Sequence, residues 1–429
     1  MAENTPLHYR SLLLYQVYVR NYSEAGNFKA VEKDLKRIKD LGTDVLYLLP
    51  VHPIGVKNRK GTLGSPYSIK DYRAINEELG TMEDFQDLIQ ATHDHGMKIM
   101  MDIVFNHTSY DSWLFEHHKE WFYQNPKGEY TNKVADWWDI TDLDYKDKKL
   151  YTYLIETLVM YAKMGVDGFR WDVANLLPLD FLKQAREAVL NVDPDSIWLS
   201  ETTHGHFTKT IRDQGFYALS EGEIFQTFDM AYDYDYHPQY EGYLKKEKPL
   251  QSLVDFLTLQ DEIYPANYIK LRNLENHDFG RVAGHLKSDK TLLKAWHAFS
   301  FFQKGATMIY MGGEYSDPKH PDLFNKDVID LTGENLSEWI VKLKKITEED
   351  TFYEGAVTYQ KDPDFDVVTT HYQKGSKALL GVFNLSKASG QIKVPFDDGT
   401  YQDALSGQTI TVKHGQLPIP TSAMILKTS

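Results

Sequence analysis

The sequence predicts a closed, TIM-type (β/α)8 barrel with a short insertion after its third strand and an all-β sandwich domain behind it. Two observations carry the barrel. Apolar strand-like runs and helix-period segments alternate through residues 12–310, and eight such units can be counted. Strand–helix alternation gives a parallel sheet, and eight units is the number that closes. A doubly wound open sheet is the rival, but it does not demand eight. The third observation is a change of texture near residue 352, where short alternating runs between turn clusters replace helical periodicity.

The elements follow in order. Leu12 to Arg20 reads as the first strand, and Phe28 to Leu41 as a helix with apolar residues at 28, 31, 35, 38 and 41, closed by Gly42. Val45 to Leu49 is a continuously apolar second strand. Thr81, with Asp84 three positions on, reads as a capping box opening a helix that Gly96 ends. Lys98 to Phe105 is the third strand. An irregular stretch, 108–145, separates it from a helix at 147–164 and a fourth strand, Gly168 to Trp171. A helix at 180–191 leads to the fifth strand, Ile197 to Ser200. Phe228 to Tyr232, Tyr268 to Leu274 and Thr307 to Tyr310 complete the eight, with helices at 249–262 and 290–303. The expected domains are the barrel at 1–107 and 146–350, the insertion at 108–145, and the sandwich at 351–429, with strands at 367–372, 378–383, 391–394, 409–412 and 423–427.

Composition narrows the function. With 47 basic and 62 acidic residues the net charge is −15, and no basic run stands out. This argues against nucleic acid and anionic membrane surfaces as partners. No cysteine is present, so disulfides and thiolate metal sites are excluded. The N-terminal stretch lacks the pattern of a signal peptide, and no apolar run reaches bilayer length, so a cytoplasmic location is expected.

In a barrel of this type chemistry gathers at the C-terminal ends of the strands. The acids expected there are Asp102, Asp172, Glu201 and Asp278, with His107 and His277 beside them. Alternation puts Arg170 and Asp172 on one face, an arrangement expected to keep Asp172 ionised. An isolated R-x-D is more often a structural ion pair, since buried charges are usually paired. Glu201 follows the apolar run Ile197-Trp198-Leu199, which is expected to raise its pKa. An ionised nucleophile beside a protonated acid is the pair a retaining glycosidase needs, about 5 Å apart.

These residues also carry a family resemblance. Asp102-Ile103-Val104-Phe105-Asn106-His107, Gly168-Phe169-Arg170-Trp171-Asp172, Leu199-Ser200-Glu201 and Asn276-His277-Asp278 resemble, in order and spacing, the motifs of the α-amylase family, glycoside hydrolase family 13. Asp142-Leu143-Asp144 is similar to the motif closing that family's inserted domain B, and residues 309–314 to its eighth-strand signature. The resemblance implies Asp172 as nucleophile, Glu201 as acid/base and Asp278 as a third carboxylate stabilising the transition state. It implies Arg170 as the residue orienting Asp172, His107 and His277 as sugar-binding residues, Tyr67 as the aromatic stacked on the reacting ring, and Asp102 as a structural member of the shell. It implies no cofactor for the chemistry. Asn106 and Asp142 match two positions of the family's structural calcium site; that reading and simple loop-tying hydrogen bonds both stay open.

After the nucleophile the stretch Val173-Ala174-Asn175-Leu176 is similar to the neopullulanase and cyclomaltodextrinase branch. The expected activity is hydrolysis of α-1,4 bonds in maltooligosaccharides, an α-glucan oligosaccharide being the partner. A transglycosylase, an α-1,6-glucosidase or a cyclomaltodextrinase would share the same site. A non-catalytic glucan-binding barrel would be expected to lack one of the three carboxylates, and all are present. The sequence is silent on oligomeric state.

Overall fold

The computed structural model describes residues 4–134 and 136–428. Eight parallel strands close into a barrel: Leu13–Val17, Val45–Leu48, Lys98–Ile103, Gly168–Trp171, Ile197–Ser200, Met230–Tyr232, Lys270–Arg272 and Ala306–Tyr310, in that order around the ring. All eight are buried along most of their length, which is why they read as apolar runs without clean alternation. The first strand is shorter than its apolar run. A helical turn, Val19–Tyr22, follows it and turns Arg20 inward to bond Glu78 (Nε to Oε1, 2.9 Å) and the Gly64 carbonyl (3.0 Å).

The helix expected over 28–41 is two, Phe28–Glu32 and Leu35–Asp40. They break at Asp34, whose carboxylate is claimed by Tyr22 Oη and by Arg37 Nε at 2.8 Å. The helix Met82–Asp94 carries the expected capping box: Asp84 N donates to Thr81 Oγ1 at 3.1 Å, and Thr81 N donates to Asp84 Oδ2 at 2.9 Å. The remaining barrel helices include Lys148–Lys163, Leu179–Leu190, Leu250–Ile263, Lys290–Phe301 and Ser337–Thr347.

After the third strand the chain forms a small antiparallel pair, His107–Ser109 with Ile140–Asp142, which puts His107 opposite Asp142. The C-terminal region is antiparallel throughout. A six-stranded sheet runs Ala356–Lys361, Val367–Lys374, Lys377–Asn384, Ala423–Lys427, Gly399–Asp403, Thr409–Val412 in spatial order, and a two-stranded sheet pairs Gln391–Lys393 with Gln416–Pro418. Ile392 and Leu417 of the small sheet share a core with Val382, Leu380 and Leu426 of the large one. Its other face is fixed to the barrel through aromatic contacts, Phe299 to Phe383 at 5.4 Å and Phe302 to Tyr372 at 5.2 Å. Among the described residues no helix is long and apolar enough to cross a membrane.

Candidate active site

Strand register builds the site. Asp102 on the third strand is the direct neighbour of Arg170 on the fourth. The parallel ladder then runs one residue past both strands, because Asp172 N donates to Ile103 O and Glu201 N to Trp171 O, each at 2.9 Å. Asp172 and Glu201 are thereby fixed as the last hydrogen-bonded residues of adjacent strands, facing the barrel mouth.

Arg170 is fully buried beneath them. Its Nη1 donates to Asp102 Oδ1 (2.8 Å) and Oδ2 (2.9 Å) and to Asp172 Oδ1 (3.1 Å). Its Nη2 stands 2.9 Å from Glu201 Oε2 as an ion-pair contact without hydrogen-bond alignment. One guanidinium therefore touches three carboxylates. Asp102 Oδ2 also accepts from the hydroxyls of Tyr47 and Tyr67, both at 3.0 Å. Burial holds both phenols well above their ordinary range, so they remain neutral donors. Burial raises Asp102 as well, to about 6, against the pull of Arg170.

A cleft of about 180 Å³ opens above this layer, lined among others by Tyr67, His107, Asp172, Glu201, His277 and Asp278. Six of the ten residues singled out from the sequence thus meet at one cavity. Arg170 and Asp102 lie directly beneath it, while Asn106 and Asp142 stand at the base of the insertion. Asp278 accepts from Tyr234 Oη at 2.7 Å. His107 Nε2 lies 4.0 Å from Asp172 Oδ2. Asn106 Nδ2 faces His107 Nδ1 at 3.1 Å, and a donor there leaves the ring proton on Nε2, toward Asp172. Tyr67 Oη and His277 Nε2 are 2.7 Å apart, with the two rings stacked at 5.4 Å. Burial lowers His107 and His277 to about 3, so both act as neutral imidazoles.

The protonation pattern differs from the one expected. Burial, followed by the charge of Glu201 and a hydrogen bond with it, raises the Asp172 carboxyl well above the ordinary carboxylate range. The Arg170 contact opposes this only in part, since the same guanidinium is shared with Asp102 and Glu201. The burial assumed for Glu201 is present. The charge of a second carboxyl this close works against ionisation of Asp172 in the same direction as burial does.

The calcium reading does not fit. Calcium wants six to eight oxygens. Here Asn106 presents its Nδ2 to Asp142 Oδ1 at 3.3 Å. Asp142 Oδ2 accepts from Lys133 N at 2.9 Å and faces the Lys133 ammonium at 3.6 Å. Lys133 supplies a positive charge where a metal would supply it, and Asn106 and Asp142 serve to tie the insertion to the barrel.

Sequence reasoning missed several participants. Tyr234 lies two residues past the sixth strand, stacked on Tyr232 at 4.9 Å, and its place in the strand's alternation was the only signal. Val173 contributes a backbone N–H, donated to Glu201 Oε2 at 2.8 Å, which no side-chain pattern reveals. Lys60, Trp137 and Phe324 also line the cleft.

Comparison with known proteins gives consistent matches. Residues 16–364 match the family described as Alpha amylase, catalytic domain, and residues 358–426 match Bacterial Alpha amylase C-terminal domain. Among solved structures, an α-amylase from Lactobacillus plantarum is 40% identical with a TM-score of 0.94, covering 99% of this chain and 100% of that one. A maltogenic α-amylase from Thermotoga neapolitana is 32% identical with a TM-score of 0.86, covering 98% and 99%. A curated relative from Picrophilus torridus, an alpha-1,4-glucan:maltose-1-phosphate maltosyltransferase, is 27% identical over 90% of this chain. The chain spans 62% of the length of that relative.

Proposed function

We propose that this chain, which belongs to the α-amylase family of enzymes acting on α-glucans, is a retaining glycosidase that hydrolyses α-1,4 bonds in maltooligosaccharides. The carrying observation is the Arg170 guanidinium in contact with both Asp172 and Glu201. Inverting enzymes hold their two carboxyls about 6.5–9.5 Å apart to admit a water, and retaining enzymes bring them to about 5 Å. Two carboxyls that share a cation and a hydrogen bond suit the second arrangement.

In this reading Glu201 carries a proton and Asp172 is ionised when the sugar is bound. An Asp172 oxygen attacks the anomeric carbon as Glu201 gives its proton to the leaving oxygen, and the glycosidic bond breaks. A water then attacks the same carbon, Glu201 takes its proton, and the bond to Asp172 breaks. Positive charge on the ring in both transition states is offset by Asp278, which Tyr234 holds in place. Neutral His107 and His277 hydrogen-bond sugar hydroxyls, and Tyr67 offers its face to the ring. No step requires a metal.

The test is chromatography and anomer-resolved NMR of products from maltoheptaose, wild type against Asp172→Asn. Shorter α-anomeric products from wild type, and a rate at least about 10³-fold lower in the variant, are expected. First-formed β-anomers would overturn retention. A transferase would use the same residues and pass the glycosyl group to a second sugar, and the named maltosyltransferase relative favours keeping that reading. Products longer than the substrate would select it. An intact maltoheptaose would move the assignment to α-1,6 or cyclic substrates.

A further inference from the structure

The cleft is walled on one side, and the wall bears on how substrate enters. The loop after the second strand reaches the loop after the eighth. Leu63 N donates to Phe324 O at 3.0 Å, and Thr62 donates to Asn325 Oδ1 from N (2.9 Å) and Oγ1 (2.6 Å). The approach is close enough that a Cβ on Gly61 would sit 2.6 Å from Phe324 Cβ. Lys60 extends the seam to the insertion, pairing with buried Asp139 at 2.9 Å. Lys60 and Phe324 both line the cleft, so this three-way junction is its wall.

The direction of the wall follows from strand order. The second and eighth strands flank the first, while Glu201 ends the fifth strand across the barrel. The general acid faces the leaving group, on the reducing side of the broken bond. The wall therefore stands beyond the opposite, non-reducing side of the reacting ring. The cleft's volume of about 180 Å³ is below the roughly 300 Å³ at which drug-sized ligand pockets begin, which suits a short stretch of sugar.

We propose, resting on the hydrolase reading above, that the enzyme is exo-acting: it admits only the non-reducing end of an α-glucan and releases a short unit from it. An internal stretch of chain would have to pass through the seam between Thr62–Leu63 and Phe324–Asn325.

The experiment compares two maltoheptaosides, one with a free non-reducing end and one whose terminal 4- and 6-hydroxyls are tied as a cyclic acetal. Wild type cleaves the free substrate and turns over the blocked one at least about 100-fold more slowly. Equal rates overturn the exo assignment and leave hydrolysis standing. Cleavage of neither overturns the hydrolase reading and the exo mode with it. Phe324→Ala removes wall from inside the cavity, and Gly61→Ala forces the loops apart from outside it. Each raises the blocked-to-free ratio at least about tenfold. Ratios unchanged in both, with the proteins folded by circular dichroism, place the barrier elsewhere and overturn the proposal.

Discussion

The backbone N–H of Val173 donates to Glu201 Oε2 at 2.8 Å from a left-handed conformation, φ 37° and ψ 46°. A β-branched residue rarely adopts it, and such a residue costs on the order of 1–3 kcal/mol. The next residue, Ala174, donates its N–H to the Glu201 main-chain carbonyl at 3.0 Å. The turn after Asp172 thus grips both the main chain and the carboxylate of Glu201, so the two carboxyls are positioned by one strained segment.

Val173→Gly tests that grip. Glycine relieves the strain but loses the packing of Val173 against Leu176, Ile211 and Ala218 and loosens the turn. These effects oppose one another, so Tm should move by only a few degrees. We expect kcat on maltoheptaose to fall about tenfold, the loss of a fixed orientation rather than of a group. An unchanged kcat would show that Glu201 needs no clamp from this side.

In the proposed mechanism the Asp172–Glu201 pair sets the acid limb of the pH profile. An Asp172 carboxyl raised by burial and by Glu201 is protonated at pH values where a free aspartate, of pKa about 3.9, is already ionised. Activity therefore rises with pH through a midpoint above that value, and kcat/KM against pH measures it. In Glu201→Gln the neighbouring charge is gone, so the same limb, followed on an activated substrate that needs no acid, shifts to lower pH. A limb at the free-aspartate value in wild type would contradict the coupling. His107 and His277, lowered to about 3, contribute no limb near neutrality.

The places of Asp172 and Glu201 at the barrel mouth were legible in the sequence because each sits at the tip of a strand whose apolar run ends there. Asp172 and Glu201 follow their runs by one residue, and the strands end where the runs do. What the sequence hid depends on partners far along the chain. The strand Gly399–Asp403 alternates exposed and half-buried positions, and it pairs with Ala423–Lys427 across some twenty residues, so it carries no apolar signature of its own. The last barrel helix, Ser337–Thr347, follows a long irregular stretch and was not anticipated. Nor could spacing reveal that Arg170 would be divided among three carboxylates, or that burial and Glu201 would raise the Asp172 carboxyl.

The Lys133–Asp142 pair predicts an insertion that holds its structure without calcium. Asp142 is buried, and the Lys133 ammonium and main-chain N–H both face its Oδ2. Tm should be the same in EDTA and in millimolar calcium. Lys133→Ala leaves Asp142 with less compensation and should cost about 1–3 kcal/mol, read as a lower urea midpoint at unchanged m. A Tm that drops in EDTA would restore the metal reading.

His297 offers a measure of acid stability away from the active site. It lies buried in the helix Lys290–Phe301 with no hydrogen-bond partner for Nε2, and burial alone lowers it to about 4. An unfolded histidine titrates near 6.5, so between those values the unfolded chain binds more protons than the folded one. The stabilising effect of the neutral ring is complete above pH 6.5 and is lost as pH falls toward 4. Over that window the linkage amounts to roughly 3 kcal/mol. His297→Gln removes the titration, so urea midpoints of the variant should decline less steeply from pH 7 to pH 4 than those of wild type. A constant cost of the substitution only offsets the variant's curve, so the stability of wild type relative to the variant should fall by roughly 3 kcal/mol from pH 7 to pH 4, whatever that cost is. Parallel curves would mean that the ring is protonated in the folded protein, with solvent reaching its Nε2.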